Sequence, residues 1–168
     1  MSLSKTEIIH ATCISISGMG VLLRAPAGGG KSDLALRMID QPGRGLGKDL
    51  MDTSLIADDR VAIWRNGKCL MAACPKTLSG LLEVRGLGIV QLACSSEVEL
   101  GLAVDLVADV EVERMPDLSA HTFSLWGLSV PKIAIAPFEA SAPAKIRAAV
   151  CALGQGLLSE YVPVKRNM

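Results

Sequence analysis

Aromatic side chains are scarce in this sequence: two Phe, two Trp and one Tyr make up 3 % of 168 residues. So few rings cannot tile a base-stacking surface for single-stranded nucleic acid. Net charge is absent too, since 17 Lys and Arg balance 17 Asp and Glu. No overall field therefore draws the chain to nucleic acid or to an anionic membrane. No apolar run approaches the roughly 20 residues of a spanning helix, and the opening MSLSKTEIIH lacks the long apolar core of a secretory signal. The five cysteines, at 13, 69, 74, 94 and 151, form no C-x-x-C pair, and His10 and His121 lie far from any cysteine pair. Four ligands at zinc spacing are missing. Unpatterned thiols of this kind fit small buried residues in a reducing cytosol, so the expected location is cytoplasmic.

What the chain has is apolar content: half of its residues are hydrophobic and a fifth are charged, enough to bury a real core. With no internal repeat and no low-complexity linker, residues 1–168 read as a single domain. Residues 12–17 and 20–24 read as short strands turning at 18–20. Residues 32–39 mix Leu34, Leu36, Met38 and Ile39 with Asp33 and Arg37 in a helix that Pro42 and Gly43 end. Residues 41–52, with three glycines and a proline, read as an exposed loop. A short apolar strand at 54–57 runs into Asp58-Asp59. Residues 61–64 and 69–73 flank Asn66-Gly67, a hairpin signal because Asn-Gly suits the positive φ of a tight turn. Over 103–113, Val104, Leu106, Val110 and Val112 alternate with Asp105, Asp109 and Glu111, which predicts a half-buried strand. Another strand is expected over 129–136, with an edge or bend at Pro131. Ser141-Ala142-Pro143 opens a last helix with Ile146, Val150, Leu153 and Leu157 on one side. Many strands and few helices define a strand-rich α/β domain, not a regular doubly wound sheet.

Three stretches carry possible chemistry. The first, RAPAGGGKSD at 24–33, follows the strand Val21-Leu22-Leu23 and opens a helix, the context that a P-loop requires. Backbone N–H groups of Gly28, Gly29, Gly30, Lys31 and Ser32 can surround a phosphate at the helix N-terminus. Lys31 would neutralise the β- and γ-phosphates, and the Ser32 hydroxyl would ligate Mg²⁺. A P-loop normally begins with glycine; here Ala25, Pro26 and Ala27 stand at the early positions. Ala25 suffices if that residue keeps ordinary β geometry, towards which Pro26 biases it. The plainer alternative is a glycine turn with an incidental Lys-Ser.

The second stretch is Asp58-Asp59 at the C-terminal end of a strand, where open α/β sheets bind ligands. One carboxylate could hold Mg²⁺ directly or through water, and the other could accept a proton from an attacking hydroxyl. In isolation an Asp-Asp pair reads as a polar turn; the upstream loop favours the functional reading. The third is LLEVRGLGI at 81–89. If it is strand, Glu83 and Arg85 share one face; without further context it reads as a turn with a surface ion pair.

GVLLRAPAGGGKSDLAL, LIADDRVAI and above all LLEVRGLGI resemble the C-terminal catalytic domain of bacterial HPr kinase/phosphorylase. The match runs in order from about His10 to VPKIAI at 130–135, and the resemblance implies a short form without the family's usual N-terminal domain. The resemblance implies a P-loop domain of the phosphoenolpyruvate carboxykinase-like fold. It also implies an enzyme that uses ATP and Mg²⁺ to phosphorylate a serine of HPr, the carrier of the sugar phosphotransferase system, and that can remove that phosphate. It assigns His10 and Arg114 to the active site, Lys31 to phosphate binding, and Ser32 and Glu83 to magnesium. Asp59 becomes the proton acceptor with Asp58 beside it, and Arg85, Gly86 and Gly88 belong to the signature. It further implies a hexamer; the charge balance and scarce aromatics already lead to the expectation of neither nucleic acid nor membrane as partner. Besides a longer segment over 41–52, two departures stand out: the early loop positions, and residues 136–142, which hold no arginine where the family has an arginine-rich loop. The second predicts weak or altered phosphorylase activity. The rivals are a catalytically silent ATP-binding regulator that docks a sensor kinase, and a small-molecule kinase.

Overall fold

The computed structural model describes residues 5–154. In chain order it contains β1 (Thr6–His10), β2 (Thr12–Ile16), β3 (Met19–Arg24), α1 (Lys31–Asp40), β4 (Thr53–Ala57), β5 (Arg60–Asn66) and β6 (Cys69–Ala73). These are followed by β7 (Leu81–Val84), β8 (Gly88–Gln91), β9 (Glu97–Leu106), β10 (Thr122–Leu125), β11 (Leu128–Ile135) and α2 (Ala142–Gly154). Nine strands form one sheet in the order β1-β5-β6-β9-β3-β2-β4, with β11 also on β9 and β10 on β11, while β7 and β8 make a separate hairpin. The strand-rich α/β expectation is met.

The sheet has two apolar faces because its central strands send alternate residues to opposite sides. From β3, Val21 and Leu23 point into a core with Leu34 and Met38 of α1 and Ile146 and Val150 of α2. Leu22 points the other way, into a second core with Cys13, Val61, Ile63 and Leu70, where the sheet curls over on itself. β3 is therefore buried on both faces, and this is why it reads as an unbroken apolar run.

Several boundaries differ from the sequence reading. The first turn is Ser17-Gly18, both at positive φ, between the paired residues Ile16 and Met19. Gly20 lies within β3, where a Cβ would sit 2.7 Å from the Glu99 carbonyl oxygen of β9. The second hairpin turns at Gly67-Lys68, with Asn66 already paired to Cys69 and only Gly67 at positive φ. The strand expected over 103–113 ends at Leu106 and starts at Glu97. Its alternation continues backwards through Leu102, Leu100 and Val98, which are buried, whereas Val110 is 93 % exposed in a 3-10 turn. The pairing explains the stop: β3 ends opposite Asp105 and β11 ends opposite Leu106, leaving later residues no ladder to join.

Pro131, the expected edge or bend, lies within the continuous strand β11 at the point where its partner changes. Up to Pro131, β11 pairs with β10; from Lys132 it pairs with β9. The loop after α1 is exposed but not loose. Gly43 and Gly45 pack against Arg147 of α2 so closely that a Cβ on either would lie within 2.8 Å of it. Among the cysteines only Cys13 is buried, and burial pushes its thiol pKa above the ordinary range; the other four are half-buried and all five are free. Leu157, expected on the apolar side of the last helix, lies outside the described residues.

Candidate active site

Residues 25–30 pass from β3 into α1 with Gly28 at φ +78° and Gly30 at φ +93°, a conformation costly for other residues. Gly29 is required by space: a Cβ there would come 2.5 Å from the Ala25 Cβ. Ala25 itself is not at positive φ, so no glycine is needed at that position. The carbonyl oxygens of Ala25 and Pro26 accept hydrogen bonds from the Lys31 Nζ at 3.0 and 3.3 Å. These early residues thus act through backbone, and their side chains are free to differ. No side chain caps α1. Its first N–H groups and the positive end of its dipole face the cleft, an arrangement that attracts an anion.

The two aspartates divide their work. Asp58 is buried, and its Oδ1 accepts from the Thr12 and Ser32 hydroxyls, each at 2.8 Å. Its Oδ2 accepts from the Glu83 backbone N–H at 3.2 Å. One carboxylate therefore ties β2, the start of α1 and β7 together. Asp59 turns out of the sheet at φ +66° and is exposed, with Oδ1 2.8 Å from His10 Nε2. Pairing of His10 with Arg60 across β1 and β5 sets that imidazole beside it. A non-glycine residue held in the left-handed region at the rim of a cleft is strain of the kind functional sites retain.

The cleft, about 410 Å³, is lined by residues 27–33 on its floor, by His10, Asp58 and Asp59 on one side, and by Glu83 and Arg85 above. Arg85 is not in a strand, as the shared-face reading required. β7 stops at Val84, and Arg85-Gly86-Leu87 make the turn into β8, with Gly86 and Gly88 at positive φ. The Glu83–Arg85 ion pair does not form among the described residues. Instead an Arg85 Nη lies 3.9 Å from where a Gly28 Cβ would be, over the glycine-rich loop. Arg114 is exposed in the segment after the 3-10 turn and does not line the cleft. Sequence reading missed two contributors. Thr12 carries no local signal, and Phe138 reaches the cleft only through the sheet order.

Beside Asp59, the oxygen donors lining the cleft include the Ser32 hydroxyl and the Asp58 and Glu83 carboxylates, hard ligands that suit Mg²⁺. Among the described residues no group of three or more His, Cys, Asp or Glu is placed to hold a metal. So sparse a set fits a cation that takes its other ligands from phosphate and water.

The fold and cleft define a strand-rich mixed α/β domain whose glycine-rich helix start, buried lysine and paired aspartates converge on one anion-attracting site. The family model of the HPr Serine kinase C-terminal domain matches residues 1–153, and the chain belongs to that family. HPr kinase/phosphorylase of Burkholderia lata is 38 % identical and that of Burkholderia cenocepacia 37 %, each over 143 residues. Both alignments cover 79 % of this chain but 41 % of the relative, so the chain spans about two fifths of their length. Among solved structures, the HPr(Ser) kinase/phosphatase from Coxiella burnetii aligns with a TM-score of 0.73 at 26 % identity, covering 92 % of this chain and 94 % of that one.

Proposed function

We propose that this domain is a P-loop kinase of the phosphoenolpyruvate carboxykinase-like fold that moves the γ-phosphoryl group of ATP to a serine of HPr or an HPr-like carrier. The observation that carries the reading is the exposed His10–Asp59 pair, at 2.8 Å, beside a cleft floored by the Lys31 loop. An exposed carboxylate at the rim can reach a hydroxyl presented by another protein, whereas buried Asp58 cannot. In the transfer, the serine Oγ forms a bond to the γ-phosphorus and gives its proton to Asp59. The bond from that phosphorus to the β–γ bridging oxygen breaks, and ADP leaves. His10 orients Asp59. The N–H groups of the loop, Lys31 and Arg85 gather phosphate charge in a low-dielectric cleft. Because Arg85, not Arg114, lies over the loop, we assign it the cationic role within this chain. Ser32, Asp58 and Glu83 would hold Mg²⁺ through oxygen, and that cation supplies charge neutralisation when bound.

Residues 136–142 hold no arginine: Pro137 and Phe138 lie against the loop, and Glu139 pairs with Lys145. That favours kinase over phosphorylase activity, and release of pyrophosphate from phospho-HPr is expected to be slow. The test is incubation with ATP, Mg²⁺ and HPr, read by intact mass. Gain of one phosphate on a serine supports the reading. ATP binding without transfer would replace it with the silent regulator.

A further inference from the structure

One residue of the cleft has no part in phosphoryl chemistry. Phe138 is 72 % exposed, whereas Phe123, the only other Phe in the chain, is buried. Its ring lies directly against the glycine-rich loop: a Cβ on Gly30 would come 3.0 Å from its Cζ and 3.2 Å from its Cε1. The ring is held in place. Arg37 of α1 donates to the Pro137 carbonyl oxygen and, at 3.4 Å, to that of Glu139, while its Nε pairs with Asp33 at 3.0 Å. Glu139 is tied in turn to Lys145 of α2. An apolar ring fixed by the backbone on both sides, yet left open to water, is an unusual use of one of five aromatic residues.

The sheet order says which part of a ligand would meet it. β3 lies between β9 and β2; β11 flanks β9 and β4 flanks β2. The loop after β11, which carries Phe138, and the loop after β4, which carries Asp58 and Asp59, therefore stand on opposite sides of the α1 N-terminus. If the reacting phosphate lies at Asp59 and the phosphate chain crosses Gly28 to Ser32, the other end of the nucleotide points to Phe138.

We propose that Phe138 is the platform on which the nucleobase stacks. The inference rests on the nucleotide-site reading above and goes beyond it by assigning the base end. A ring reads the π-face common to all bases, so its contribution is a positioning one that a ligand with phosphates and no base cannot use.

The experiment is calorimetric titration with a non-hydrolysable ATP analogue and, separately, with inorganic tripolyphosphate, both with Mg²⁺. Phe138→Ala is expected to weaken the analogue about tenfold and to leave tripolyphosphate unchanged, with Phe138→Trp restoring the analogue. The added indole should change its fluorescence with the analogue and not with tripolyphosphate, so the proposal is tested even if the alanine variant is poorly folded. Unchanged analogue affinity in Phe138→Ala, equal losses for both ligands, or an indole that ignores the analogue would overturn the platform while leaving the nucleotide site standing. Failure of the unsubstituted protein to bind either ligand would overturn both.

Discussion

Asp59 shows how one backbone angle separates two adjacent, identical side chains. Asp58, the first residue after β4, is buried and accepts three hydrogen bonds, whereas Asp59, at φ +66°, is thrown to the rim beside His10. Holding Asp rather than Gly in that region costs about 1 kcal/mol. Asp59→Gly is therefore expected to raise Tm by about 2–4 °C in scanning calorimetry while abolishing phosphate transfer to HPr. A fall in Tm would mean that the His10 contact outweighs the strain. Gly29 makes the complementary case, because a Cβ there collides with that of Ala25. Overpacking of this size costs 1–3 kcal/mol, so Gly29→Ala should weaken the ATP analogue about tenfold. Adding Ala25→Gly should recover part of that loss, which calorimetric titration would show.

Between elements, the contact that decides how α1 sits is Arg147. Buried in α2, it donates to the carbonyl oxygens of Met38 and Gln41, capping the last turn of α1 with a cation where the helix dipole favours one. Arg147→Ala would remove the donor from the buried Met38 carbonyl and the part-buried Gln41 carbonyl and leave a void under Gly43. A loss of about 2–4 kcal/mol is expected in urea unfolding, with Arg147→Lys a partial substitute: one Arg147 Nη makes both bonds, and an ammonium has donors enough for both but sits on a shorter stem. Local elements were largely legible from sequence: β3, its glycine-rich loop and α1 are adjacent, and their signals are turn residues and short periods. The extent of β9 was not, because alternation runs on past Leu106 although the partner strands stop there. The site divides in the same way. Lys31, Ser32, Asp58, Asp59 and Glu83 sit in recognisable stretches, whereas Thr12 and Phe138 are recruited by pairing over 46 and about 100 residues, and no short-range pattern marks them.

For the whole molecule, the surface carries several isolated large apolar residues: Ile8, Leu46, Leu50, Leu87, Ile89 and Val110 are all exposed. Apolar side chains scattered singly in this way are ordinary on a folded surface, so the expectation of a hexamer rests on the family resemblance. Light scattering is expected to give about six times the 17.6 kDa of one chain, and a monomer at micromolar concentration would contradict it. No helix among the described residues is long and apolar enough to cross a membrane. The sheet order has a further consequence, for the time at which the site comes into being. β3, which leads into the glycine-rich loop, pairs Gly20 with Leu100, and β9 receives β11 only at Lys132. Until the ribosome has released those later strands, β3 has a bare edge, and the loop hangs from a half-built sheet. Such distant pairings make folding slow. The cleft is thus among the later features this chain completes, and if it binds ATP as proposed, capture of the nucleotide by a nascent chain would time the closure of its sheet.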